Sequence, residues 1–192
     1  HETMQPDSAR YYFARAAENS KEGSASRELN AADVLLIDNN IEEAMKHLIE
    51  AEKIGGEELG VNNTLGLIYL GEYGTAYTDL EKALVYNKKA HDADKSETTL
   101  SVLARNYYEL DQLDEALTLF NQLVSRNPMN PDFYYLVGAC AFEMEDSVQS
   151  EIAFNKAIAL DSSYAEVVEE YKAIMTYNEM FDEVAEEELV TE

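Results

Sequence analysis

Few residues of this chain are of the types that carry covalent or metal chemistry, and none sits in a spacing such chemistry requires. Cys140 is the one cysteine. A nucleophilic thiol needs a partly open, electropositive setting that favours the thiolate. Val137, Gly138, Ala139 and Ala141 instead give Cys140 small, apolar neighbours, so it reads as a packed thiol. It has no partner for an internal disulfide. His1, His47 and His91 are scattered, and neither an HExxH helix nor a paired-cysteine motif occurs, which removes the usual zinc signatures. The run His91-Asp92-Ala93-Asp94 resembles a cation loop, yet it lacks the glycine turn and bidentate Glu of a calcium site. Asn62-Asn63-Thr64 matches a glycosylation acceptor but falls on a predicted helix. Carboxylates are so numerous that pairs arise by chance, so none marks acid-base catalysis. No catalytic residue, metal ligand or cofactor is expected.

The charge is more informative. Thirty-nine Asp and Glu face 14 Lys and Arg, a formal net charge of -25. Such a surface repels nucleic-acid phosphates and anionic membranes, so the expected partner is another protein, basic or neutral rather than acidic. Acids dominate from Asp161 to Glu192, where Lys172 is the lone base; a run of this kind reads as a solvated face or tail. No apolar run reaches the roughly 20 residues of a membrane-spanning helix, so no membrane insertion by this fragment is expected. The chain starts at His1 and its first methionine is Met4, which suggests a piece of a longer protein. The compartment stays open between cytoplasmic and, if a leader or anchor precedes His1, extracytoplasmic.

The elements that must position any site come from an internal period. Glu97 to Asn130 aligns without a gap on Pro131 to Tyr164, a step of 34 residues. Ala104 falls on Gly138, Ala116 on Ser150, Phe120 on Phe154 and Leu123 on Ala157. Looser copies start near Ala25 and Leu59, pairing Ala32 with Gly66, Leu48 with Leu80 and Ala51 with Ala83. In the second, the turn between Tyr69 and Tyr73 reads as about two residues short, with about six extra residues within Lys88 to Ser96. Each copy holds two apolar stripes of helical period separated by a polar or glycine turn, a helical hairpin. Few prolines and glycines interrupt them, with three and eight in all. One hairpin cannot bury both faces, so such units stack and end in atypical caps. The predicted organisation is a helix and linker over residues 1–24, hairpins over 25–58, 59–96, 97–130 and 131–164, and a capping helix with acidic tail over 165–192.

Leu103, Ala104, Tyr107, Ala116, Phe120 and Pro128 stand in the order and spacing of the tetratricopeptide repeat, which the stretch from Ala25 to Tyr177 resembles. Glu28, Asn62 and Leu100 depart from its usual aromatic, Ala141 from its Tyr and Lys88 from its Pro. The resemblance implies an all-α, right-handed α-solenoid of stacked antiparallel helix pairs. It also implies a non-catalytic interaction module or scaffold whose first helices line a concave groove for a peptide or helix of a partner. The inner-face positions place Asn63, Leu67, Ser101, Arg105, Tyr108, Tyr135, Ala139, Phe142 and Tyr177 along that groove, with Asp33, Leu36, Leu70 and Glu169 beside them, and favour the third and fourth hairpins for binding. Arg105 is expected to pair with Glu109 or to receive a carboxylate. The Lys, Arg and Asn clamp that some family members close on chaperone C-termini is absent, since Leu29, Asp33, Thr64, Thr98 and Val102 hold its places. The other reading is a structural subunit of a larger complex or homo-oligomer, with the acidic C-terminal region docked on a partner.

Overall fold

The computed structural model describes residues 6–55 and 59–190, and the side chains of Leu59 and of residues 178–190 lie outside that description. The acidic run Glu186-Glu187-Glu188 therefore lies outside the described side chains. Ten α-helices follow one another among the described residues: α1 Pro6–Asn19, α2 Ala25–Ile37, α3 Ile41–Gly55, α4 Leu59–Leu70, α5 Leu80–Ala93, α6 Glu97–Glu109, α7 Leu113–Arg126, α8 Pro131–Glu143, α9 Ser147–Leu160 and α10 Tyr164–Val190. The fold is all-α, built of helix pairs. It packs as two compact units, His1–Gln112 and Leu113–Glu192.

Helix starts follow local chemistry. A helix leaves its first N–H groups unpaired, and a short polar side chain before the first turn accepts from one of them. Ser24 accepts from Arg27, Asp79 from Lys82, Ser96 from Thr99, and Asp146 from Gln149. Asn130 does the same for α8, which opens on Pro131, where a missing N–H costs nothing. The turn between the helices of a pair repeats as well. Asn39, Asp111 and Glu145 occupy one place in their copies, and all take the left-handed conformation, with φ of 57°, 58° and 59°. The second copy departs from that pattern, with Gly71 at φ 95° and Gly74 at φ 103°.

That departure relocates the irregularity expected from sequence. The extra residues lie in the connection 71–79, which carries a 3₁₀ turn over Thr75–Tyr77, and α5 runs without interruption through Lys88 to Ala93. Ala83, Asn87 and Ala90, rather than Leu80 and Ala83, therefore stand where Ala44, Leu48 and Ala51 stand in the first copy, and all six are buried. Steric contact fixes the equivalence. A Cβ on Gly66 would collide with the Asn87 amide oxygen, as a Cβ on Gly138 would lie 2.5 Å from the Phe154 ring. A large residue of the second helix thus presses against a bare backbone in the first.

The core of the first unit joins Ala32, Leu36, Ala44, Leu48, Leu65 and Ile68, with Leu29, Tyr69, Tyr73 and Tyr86 packed at its edge. Asn87 takes the place that Leu48, Phe120 and Phe154 fill elsewhere. Its amide donates to Asn106 on α6 at 2.9 Å, and Asn106 donates to the Leu80 carbonyl at 3.1 Å. A polar group buried without such partners would be destabilising. Helix α1 packs on α2, and Arg10 meets Asp38 with two nitrogens. Phe13 is half-buried there, while Tyr11 and Tyr12 face solvent.

In the second unit, α8 and α9 form the hairpin and α10 lies against both. Gly138→Ala should destabilise this unit by about 1–3 kcal/mol, the usual cost of overpacking a filled core. Glu145→Gly, which releases a left-handed conformation unfavourable to a side chain, should stabilise it by about 0.5–1 kcal/mol. Urea unfolding followed by circular dichroism checks both signs.

Candidate functional site

The candidate groove residues lie on first helices, and the two units treat them differently. In the first unit they come from α2, α4 and α6. Asn63, Leu67, Ser101, Arg105 and Tyr108 are half-buried, as is Asp33, while Leu36 and Leu70 sink almost entirely into the core. Arg105 does not use Glu109. Its guanidinium binds Glu72, from the turn after α4, so the base on this face is neutralised by the preceding hairpin.

Asp33 is the electrostatic outlier of this face. Burial alone pushes its carboxyl up to about 6, and neither a base nor a hydrogen bond offsets it. Arg10 on α1 is engaged by Asp38, and His47 on α3 by Glu28 at 2.7 Å. Tyr73 lies close enough to both Asp33 and Glu72 that their charges, after burial, push its phenol up as well.

In the second unit the same face of α8 is covered. Tyr171 of α10 donates to the Ala139 carbonyl at 3.2 Å and to Glu143 at 2.7 Å. Its ring meets Tyr135 and Phe142 edge-on, each with centroids 5.9 Å apart, and Phe154 at 6.1 Å. Tyr135 also packs on Tyr164, whose hydroxyl reaches Asp132. Burial, followed by the Asp132 hydrogen bond, pushes the Tyr164 phenol up to about 12. Tyr135 and Phe142 are consequently half-buried within an aromatic cluster, and Ala139 is only 3% exposed. Packing, not solvent, meets most of the surface that the repeat spacing assigned to a partner. Tyr177 remains 60% exposed, alongside Ile174 and Val167 on α10.

The other sequence candidates resolve locally. Cys140 is fully buried and donates to the Leu113 carbonyl at 3.3 Å. Burial, with Glu143 nearby, pushes its thiol up to about 12, which leaves it protonated at neutral pH. His91 and Asp92 end α5, where His91 contacts Thr99 and Asp92 pairs with Lys95. Among the described residues, no three His, Cys, Asp or Glu side chains gather as a metal site would need. Asn62 is 2% exposed inside α4, closed to a glycan.

One apolar cavity escaped the sequence reading. It holds about 510 Å³ between α7, α8 and α9 of the second unit, lined by Val124, Tyr134, Val137, Ile152, Ala153 and Lys156 among others. Its signal was Ile152, an apolar side chain that α9 leaves exposed.

With this geometry in hand, residues 102–165 match the family model of the tetratricopeptide repeat. Over that stretch, a third of its length, the chain carries the tetratricopeptide repeat. Solved structures of such folds superpose over most of its length. YrrB, described as a TPR protein with an unusual peptide-binding site, aligns at 20% identity and a TM-score of 0.69, covering 86% of this chain and 84% of that one. MamA AMB-1 aligns at 16% identity and 0.67, covering 82% and 83%. A MamA RS-1 ArsTM double mutant aligns at 14% and 0.67, covering 83% and 86%. A search of curated proteins finds no match. At these identities the likeness establishes the helical-repeat fold.

The raised Asp33 carboxyl has a stability consequence of fixed sign. The folded chain holds this proton more tightly than the unfolded chain, so the stability linked to Asp33 is greatest at low pH. It falls as pH rises through the ordinary carboxylate range to about 6. Asp33→Asn should therefore match the parent near pH 4 and exceed it by on the order of 1 kcal/mol near pH 8, a figure reduced for solvent screening. Paired thermal melts at the two pH values check the difference.

Proposed function

We propose that this repeat protein is a non-catalytic protein-interaction module, and that it holds an extended peptide or a helix of a partner against the first-helix face of residues 25–109. One observation carries the placement. On α2, α4 and α6, Asp33, Asn63, Leu67, Ser101, Arg105 and Tyr108 keep part of their surface open, whereas the corresponding face of α8 is occupied by Tyr171. Mixed apolar and polar side chains at equivalent places on successive rigid helices suit a segment that crosses them. Leu67 and Tyr108 supply contact area, and Asn63, Ser101 and Arg105 supply hydrogen bonds. YrrB, a neighbour in fold, is itself described as having a peptide-binding site. The net charge of -25 favours a basic or neutral partner.

This reading moves the binding claim away from α8, since truncating Tyr135 or Phe142 would test core packing as much as recognition. Peptides selected from a random phage-displayed library against the intact chain, then titrated into isotopically labelled protein, test it directly. Amide shifts should concentrate on α2, α4 and α6, and Ser101→Arg should weaken binding at least tenfold, the cost of placing a bulky cation at a contact point. Shifts confined to second helices would refute the placement. An absence of selected peptides would refute the function.

A second reading retains one specific observation. Val167, Ile174 and Tyr177 expose an apolar flank along α10, which fits docking of the C-terminal helix on another subunit or a second copy. Light scattering that gives a clean monomer at high micromolar concentration would remove the homo-oligomer.

A further inference from the structure

Resting on the interaction face proposed above, we propose that Asp33 anchors a subsite that receives a Lys or Arg side chain of the partner segment. The carboxylate stands on α2 at the inner-face register, one turn before Leu36, half-buried but not sealed. Among the described residues it receives no hydrogen bond and no base. Arg10 of α1, His47 of α3 and Arg105 of α6 are each engaged elsewhere, by Asp38, Glu28 and Glu72.

A buried charge without a partner is unfavourable, and an incoming cation relieves it. The surroundings fit such an occupant. Tyr73 lies within electrostatic range of Asp33 and of Glu72, so a cationic head would meet a carboxylate and a phenol, with a second carboxylate close by. Leu29, four residues before Asp33 on the same helix, is half-buried at the core edge. It offers apolar surface to the methylene stem, as long basic side chains require. An acidic ligand side chain would face Asp33 and Glu72 together and be repelled.

The test uses the intact chain and a random phage-displayed dodecapeptide library. Peptides selected by the parent protein should share a Lys or Arg at one position, and calorimetry should show at least tenfold weaker binding when that residue is acetyl-lysine, norleucine or Glu. Asp33→Asn, which relieves an unpartnered charge and should fold at least as well, should lose the same tenfold and become indifferent to acetylation of that lysine. Tyr73→Phe should keep the basic preference. Selected peptides with no basic position, or a basic preference that survives unchanged in Asp33→Asn, would overturn the subsite and leave the interaction face standing. Failure to select any peptide would overturn both.

Discussion

The structure depends on how closely two helix backbones approach within each hairpin. That distance is set where a residue without a side chain, or with a methyl alone, faces a large side chain from the returning helix. At Gly138 even one added carbon would enter the Phe154 ring, and at Gly66 it would enter the Asn87 amide. Interiors packed to this density tolerate neither gaps nor surplus atoms. The contact fixes the spacing of the pair, the spacing fixes which faces remain for the next hairpin, and that in turn decides which first-helix positions stay open to a ligand.

The two units use the same hairpin to different ends. In the second, Tyr171 of α10 lies across α8, and four aromatic rings close over the face that a repeat farther along a longer array would present. The helix acts as a cap by occupying the ligand's place. In the first unit the face keeps a mixed surface, with Asp33 at one edge and the half-buried Tyr73 beside it. The Asn87–Asn106 pair shows how far the core of this unit departs from simple repetition. A position that elsewhere holds Leu or Phe holds an amide, whose nitrogen donates to the next first helix while its oxygen, against Gly66, has no partner.

Much of this was legible in the residues. The regular step between Ala104 and Gly138, and between Phe120 and Phe154, exposes the period because size repeats even where identity does not. The second copy was harder for a physical reason. Leu80 and Ala83 reproduce the size pattern of Leu48 and Ala51 two turns early, while the true counterpart of Leu48 is the polar Asn87. Asp79 as a cap, with Gly71 and Gly74 as breakers, was the signal that the second helix starts late. Periodicity also marked one face of α8 as the inner one but could not say what covers it. Coverage is a tertiary property, and the apolar spacing of α10 at Tyr164, Val168 and Tyr171 reads equally well as a free amphipathic stripe. Asp33 was legible as an inner-face residue and as one standing where a clamp would need another type; its lack of a base or hydrogen bond emerges only from the structure.

Hydroxyl-radical footprinting of the intact chain, read residue by residue by mass spectrometry, tests the central contrast most directly. If α10 caps the face of α8, Tyr135, Phe142 and Phe154 should be modified far more slowly than the solvent-facing Tyr11, Tyr12 and Tyr177, which are 58%, 62% and 60% exposed. Modification of Tyr135 and Phe142 as fast as that of Tyr11 would contradict the account, and would return the binding face to α8.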